Sequence, residues 1–449
     1  MKALGGLKVF VTVCAVIVLN YMVTCSLAAN AAQSNTGNTG NSVNKHTSNQ
    51  SAVAEATIRL PYDSLIKMRE SLRAGDAGVV NAVNLLQKEA DSLLDVEPFT
   101  VITKPNLPAS GNKNDYFSFA PYWWPNPDTE DGYPWVKMDG KKNPHAYAKT
   151  SNKTALNDLM DSTQSLSLAY FFTGKKAYAD KTAELLRVWF LNEETKMNPH
   201  LKYAQAIPGK VDGRGIGIID ARGFYRVLDS ILLIKPSQAL TEGELAGLDA
   251  WFSEYLEWLV ESPLGIDERK TKNNHGTFYD YQVAAIALFV NNEKIAKDAI
   301  KRAQKRLKAQ ITKDGKQPLE LERTRPFHYS VFNLQAFVGL AKLASEVGVD
   351  LWQYPSAKDD RIKQAFDYLI THSRTASTMN GTQEATLRKY DFIPVLPDYA
   401  HKYGVSIESL RDHYDPEHGY WVDCGLLFLS PDFFKAELAT TTNYKPCRY

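Results

Sequence analysis

An amide beside an imidazole, Asn273-Asn274-His275-Gly276, precedes Tyr279 and Tyr281 in the middle of the chain. Amide N–H groups can hold a carboxylate, and an imidazole that ionises near neutrality can act as a base. The same residues also suit a plain structural role, with Asn274 or His275 flanking a helix that starts near residue 277. Downstream lies Glu320-Leu321-Glu322-Arg323-Thr324-Arg325-Pro326-Phe327-His328-Tyr329, at the mouth of another helix. Arginines grip a carboxylate through paired hydrogen bonds, and a phenol between them can move a proton. A solvated loop with internal Arg–Glu pairs accounts for those charges equally well. Upstream, Phe117-Ser118-Phe119-Ala120-Pro121-Tyr122-Trp123-Trp124-Pro125-Asn126-Pro127 is followed by Tyr133, Pro134 and Trp135. Flat rings suit the C–H faces of sugars, although aromatics held between prolines also pack on a core. Finally, Gly213-Arg214-Gly215-Ile216-Gly217 runs past Asp220 to Arg222. Either arginine adds positive charge to a cleft, and a tight turn explains the glycines.

Other chemistries find little support. His413, Asp415, Glu417 and His418 gather in six residues, but in a Pro- and Gly-containing loop without helical metal-ligand spacing, so hydrogen-bonded loop residues are expected there and no metal. No phosphate-cradling glycine loop and no serine nucleophile elbow is present. Lys and Arg total 52 against 51 Asp and Glu, which argues against a nucleic-acid binder; any positive charge that meets an anionic substrate must be local.

The elements that would carry these residues follow from helical spacing of apolar positions. Leu156, Leu159, Met160, Thr163, Leu166 and Tyr170 form one stripe, closed by Gly174 as a C-cap. Tyr178, Thr182, Leu185, Leu186 and Trp189 form the next, giving a helical hairpin. A third helix is predicted to start at Asp220, and a fourth opens with Thr241 and Glu244 in capping-box spacing. Further helices are expected near 278–290, 294–310, 329–347, 360–373 and 406–412. With few alternating runs, the fold class is all-α, and residues 95–150 read as a long Pro- and Trp-rich loop lining the site.

At the N-terminus, Lys2 and Lys8 flank an apolar stretch, Val9 to Val23, followed by small residues around Ala28 to Ala32. This is the pattern of a signal peptide over 1–32, which predicts a secreted or periplasmic protein with no membrane attachment after cleavage. Residues 33–55, rich in Asn, Ser, Thr and Gly, read as a flexible tether, and 56–449 as a single catalytic domain. Cys14 and Cys25 would leave with the signal peptide. Cys424 and Cys447 would then either pair in an oxidising compartment or stay as free thiols. Asn152-Lys153-Thr154 and Asn380-Gly381-Thr382 are glycosylation sequons if the host glycosylates.

The Trp124-to-Pro127 loop, the Asn273-to-Gly276 turn and the Arg323-to-Tyr329 stretch, in that order and with those separations, resemble the alginate lyase superfamily of poly-mannuronate lyases and their glucuronan-cleaving relatives. The likeness spans roughly residues 95–390. It implies an incomplete α/α toroid built from helical hairpins, with the site in a cleft, no obligatory cofactor, and cleavage of an anionic polysaccharide by β-elimination. By position, Asn274 and His275 match the family's Asn-His pair that neutralises the substrate carboxylate. Arg325 or Arg323 matches its arginine. The family's tyrosine falls at Phe332, which leaves Tyr329 as the nearest phenol. Tyr122, Trp123, Trp124, Asn273, Tyr279, Arg214, Arg222 and His328 are the expected substrate contacts. Two rivals remain. A glycoside hydrolase would need a carboxylate pair drawn from Asp128, Glu130, Asp220, Glu320 and Glu322, and a non-catalytic carbohydrate-binding protein would bind without shortening the chain.

Overall fold

The computed structural model describes residues 57–373, 392, 394–406 and 408–413. The chain divides into two units, Met1–Val53 and Ala54–Tyr449, and the described residues all belong to the second. The signal-peptide and tether segments, Cys424 and Cys447, the Asn380 sequon and residues 414–418 lie outside them.

The described part is mostly helical. Helices α1 (Tyr62–Arg73) and α2 (Ala77–Leu93) precede the long loop region, and α3 (Asn152–Thr173) and α4 (Lys176–Leu186) follow it. The predicted hairpin of α3 and α4 is present. Ser151 caps α3 by accepting from the Thr154 N–H, and Gly174 ends it at φ 71°, a left-handed conformation that costs glycine little. Next come α5 (Phe224–Ile234) and α6 (Glu242–Glu261), then the short α7 (Pro263–Lys270). The Thr241–Glu244 capping box forms with both of its reciprocal hydrogen bonds. Helices α8 (Asn274–Phe289), α9 (Glu293–Gln310), the single turn α10 (Pro318–Leu321) and α11 (Pro326–Glu346) carry the residues singled out for chemistry, and α12 (Arg361–Ser373) and α13 (Leu396–Tyr403) complete the set.

Strands are short and confined to pairs. In the loop region β1 (Phe117–Phe119) runs parallel to β4 (Tyr203–Ala206), and β2 (Trp123–Trp124) pairs antiparallel with β3 (Val136–Lys137); β5 (Pro355–Ser356) and β6 (Asp359–Asp360) form a third pair. One large apolar core runs between the helices, with Phe190, Phe224, Trp251, Phe252 and Tyr255 meeting edge to face or stacked. A smaller one, Ala120, Trp135 and Ile207, seats the β2–β3 hairpin. No described helix is long and apolar enough to cross a membrane.

Two expectations shift. The helix predicted at Asp220 begins at Phe224 instead, after a 3-10 segment, Gly215–Ala221. Asp220 does not cap it; the carboxylate turns inward and accepts from Tyr116, Ser118, Lys153 and Gln205 at 3.2, 2.6, 2.6 and 2.9 Å. The predicted helix at 406–412 is a 3-10 segment, Glu408–His413. Burial pushes the Asp220 carboxyl up, but Lys153 with the Ser118 and Gln205 hydrogen bonds outweighs it and holds the group below its ordinary range. Removing the anion would strand the Lys153 ammonium, whose side chain is 10% exposed. Asp220→Ala is therefore expected to lower stability by about 3–5 kcal/mol in urea denaturation, and a loss well under 1 kcal/mol would refute the hub.

Candidate active site

The α8 N-terminus is built by close approach. Asn273 caps it, its side chain accepting from the His275 N–H at 3.3 Å. A Cβ on Gly276 would sit 2.2 Å from Arg306 Nη1 and 2.3 Å from the Thr271 carbonyl, so only glycine fits after His275. Asn274, 1% exposed, spends both its backbone N–H (2.7 Å) and its side-chain amide (2.6 Å) on the Glu320 carboxylate of α10. Burial raises the Glu320 carboxyl despite those bonds and the nearby Arg323 and His275. Asn274 is thus tied to α10 through both its backbone and its side chain. His275 is partly open. Its Nδ1 lies 2.9 Å from Oε1 of the buried Glu268, which leaves Nε2 as the ring atom to offer.

The α11 mouth stands against this turn. Phe278, one turn into α8, meets Phe332 of α11 at 4.3 Å between ring centroids, and His328 stacks on the other side of the contact, 6.2 Å from Phe332 at 10°. Arg222 lies over the Phe332 ring at 5.4 Å. Phe332 therefore serves as the packing platform that joins the two helix ends. Tyr329 carries the phenol. Its hydroxyl is 2.8 Å from that of Tyr122, and the Arg323 guanidinium lies 3.8 Å from its ring centroid. Arg323 in turn reaches Asp139 of the loop after β3 at 3.8 Å. Burial drives the Tyr329 phenol well above its ordinary value and Tyr122 adds to the rise, while Arg323 and Arg325 pull it down.

Other expected contacts divide. Arg214 is oriented by Gln205, donating through Nε to its carbonyl (3.1 Å) and through Nη2 to its side chain (2.9 Å). Gln205, at φ 53°, passes the link to Asp220. Trp123 packs on the small core under the hairpin with Lys210 5.3 Å from its ring, and Trp124 donates from Nε1 to the Lys141 carbonyl at 3.0 Å; both keep partly exposed faces. Tyr279 does not reach the site. It is fully buried with its hydroxyl on the Leu259 carbonyl at 2.8 Å, and burial pushes its phenol up to about 12. Asn152 is likewise buried, its side chain accepting from Phe117 N–H (3.0 Å) and donating to the Val101 carbonyl (2.9 Å). Of the loop with two histidines, His413 is described; its Nδ1 pairs with Ser373 Oγ at 2.6 Å.

Of the five carboxylates on which a hydrolase could draw, two are buried and engaged and three are exposed. Asp220 is buried among four partners and Glu320 is held by Asn274, while Asp128, Glu130 and Glu322 are exposed. Residues that spacing did not single out as functional complete the cluster. Glu268 backs His275, Lys153 fixes Asp220, and Tyr147 lies where burial raises its phenol against the opposing charges of Lys153 and Arg222.

A model of the alginate lyase family matches residues 100–379 of this chain. The chain belongs to the alginate lyase family. It is a polysaccharide lyase. The crystal structure of an alginate lyase from Bacteroides ovatus is 34% identical, covers 86% of this chain and 99% of its own, and superposes with a TM-score of 0.73. Alginate lyase A1-III from Sphingomonas species A1 is 14% identical, over 77% of this chain and 95% of its own, with a TM-score of 0.45. No match was found among curated proteins. In this alginate lyase family member the ring of Tyr329 lies 5.2 Å from that of its neighbour His328, on the same helical turn.

Proposed function

We propose that this lyase cleaves a uronic-acid polysaccharide, alginate or poly-mannuronate or a glucuronan, by β-elimination, in the cleft of an incomplete α/α toroid formed by residues 56–449. The observation that carries this reading is the Tyr122–Tyr329 phenol pair beneath Arg323, packed beside the His275 turn through Phe278 and Phe332. The proton at C5 of a uronate is α to a carboxylate. Its removal places charge on that carboxylate, which must be neutralised before a base can act. His275, Arg323 and Arg325 supply that neutralisation, with Arg214 and Arg222 adding charge along the cleft. Asn273 and Asn274 hold the turn. Tyr329 takes the C5 proton, the C–H electrons form the C4–C5 double bond, the C4–O4 bond breaks, and the proton passes to the departing O4. Tyr122 shares the proton, and Trp123, Trp124 and His328 present ring faces to the sugars. No cofactor is required. Export through a signal peptide at 1–32, with 33–55 as tether, brings the enzyme to a secreted or periplasmic polymer.

Incubation of the pure protein with mannuronan, guluronan and glucuronan tests the class of reaction. Chain shortening accompanied by the ultraviolet absorbance of an unsaturated uronate is expected on at least one of them; new reducing ends without that absorbance on all would contradict it. The phenol pair has its own consequence. Tyr122→Phe removes the hydroxyl that shares the proton and also one cause of the raised phenol, so kcat at its alkaline plateau should fall about tenfold while its rise with pH moves to less alkaline values; an unaltered kcat and pH profile would remove Tyr122 from the proton path.

A further inference from the structure

Glu268 has no role in the chemistry above, yet it is the most completely buried acid beside the site. It is 0% exposed, its Oε1 meets His275 Nδ1 at 2.9 Å, and its Oε2 has no hydrogen-bond partner among the described residues. A buried carboxylate with one hydrogen bond is costly unless a cation compensates it. The groups that face this corner are few enough to follow. Glu268 comes from α7, with Asp267 beside it approaching the Gly215 loop, where a Cβ on Gly215 would lie 2.8 Å from Asp267 Oδ2 and 3.1 Å from the Glu268 nitrogen. Arg214 from that loop feels the Glu268 charge. Glu320 from α10 faces Asn274 and lies within the field of both His275 and Arg323. Arg306 from α9 closes the far side, donating to the Thr271 and Arg269 carbonyls at 2.5 Å and paired with Asp280 at 2.6 Å. Arg306 and Arg323 thus have acidic partners of their own, and the side chain in direct contact with Glu268 is the ring of His275.

We propose that Glu268 is the positioning residue for His275: its carboxylate accepts the Nδ1 hydrogen and so fixes the orientation of the ring, with Nε2 turned to the substrate. The proposal rests on the reading of His275 as a substrate contact. A ring freed from Glu268 can turn away or exchange its tautomer, so the loss of the carboxylate should fall on the contact that Nε2 makes.

Glu268→Leu keeps roughly the size and removes the acceptor. Two readouts separate the claims: the His275 Nδ1 proton resonance by nuclear magnetic resonance in the free enzyme, assigned by its loss in His275→Ala, and KM and kcat on the polyuronate that the wild type cleaves. The expected result is loss of that resonance through exchange with water, a KM raised about tenfold, and a smaller change in kcat. Glu268→Asp, whose carboxylate falls short of the ring, should show the same changes in smaller measure and serves if the leucine variant does not fold. An Nδ1 proton signal that is unchanged in whichever variant folds overturns the proposal. A lost signal with an unmoved KM upholds the link between Glu268 and His275, and overturns the assignment of His275 to the substrate.

Discussion

Tyr329→Phe is expected to lower kcat by about 10²–10⁴-fold, the range that a positioned acid or base contributes, while leaving the fold and the affinity for polymer nearly intact. The phenol is 6% exposed and packs in a helix whose neighbours are apolar, so losing one oxygen changes the shape of the site little. The pH dependence has a definite sign. Burial raises the Tyr329 phenol above the ordinary value near 10, and the proposed base is the phenolate. At saturating substrate kcat should therefore rise with pH toward the alkaline side and not fall in that range. Absorbance assays across pH, with circular dichroism of the variant as a check on folding, measure both. A phenylalanine variant within about tenfold of wild type would fall below the lower end of that range and remove Tyr329 from the chemistry.

Arg323→Ala should cost about 10²–10³-fold in kcat/KM, the loss seen when one preorganised group facing developing charge is removed. The guanidinium contributes twice. It lies 3.8 Å from the Tyr329 ring centroid, where its charge favours the phenolate, and under the proposed mechanism it also faces the carboxylate that accepts charge in the transition state. Removing it leaves burial and Tyr122 to push the phenol higher, so the rise of kcat with pH should move to more alkaline values. Arg323→Lys should recover only part of the loss, since an ammonium neither stacks flat on a phenol nor grips a carboxylate with two hydrogen bonds. A variant with an unshifted pH profile would show that Arg323 does not tune the phenol, whatever its effect on rate.

How much of this was legible beforehand depends on how local the cause is. The capping box of Thr241 and Glu244 and the left-handed Gly174 are written in neighbouring residues, and both form as their spacing predicts. The α8 start is legible only in part: the sequence suggests Asn274 or His275 as the flank of a helix from about 277, whereas Asn273 caps a helix that begins at Asn274. The roles of buried carboxylates were not. Glu320 reaches Asn274 across 46 positions and Gln205 orients Arg214 before passing to Asp220, contacts that exist only once distant segments pack. Asp220 resembled a helix start because an acid before an apolar stripe normally is one; here four inward hydrogen bonds outweigh the cap. Tyr279 and Tyr329 look alike in sequence as phenols early in a helix, and only burial separates the one tied to Leu259 from the one facing Tyr122. Phe332 marked a missing tyrosine, and the structure gives it a different task, as the ring on which Phe278, His328 and Arg222 converge. Helices α1 and α2 carry stripes too short to stand out, and their apolar faces become evident in the core they cover.

Proton magnetic resonance of the digest formed from a polyuronate tests the central claim most directly, because it sees the bond that elimination makes. Wild-type protein should yield oligomers whose non-reducing ends carry the vinyl proton of a C4–C5 double bond, and Tyr329→Phe should yield almost none in the same time. Shortened chains without that vinyl signal, or the same signal in equal amount from the phenylalanine variant, would contradict the account.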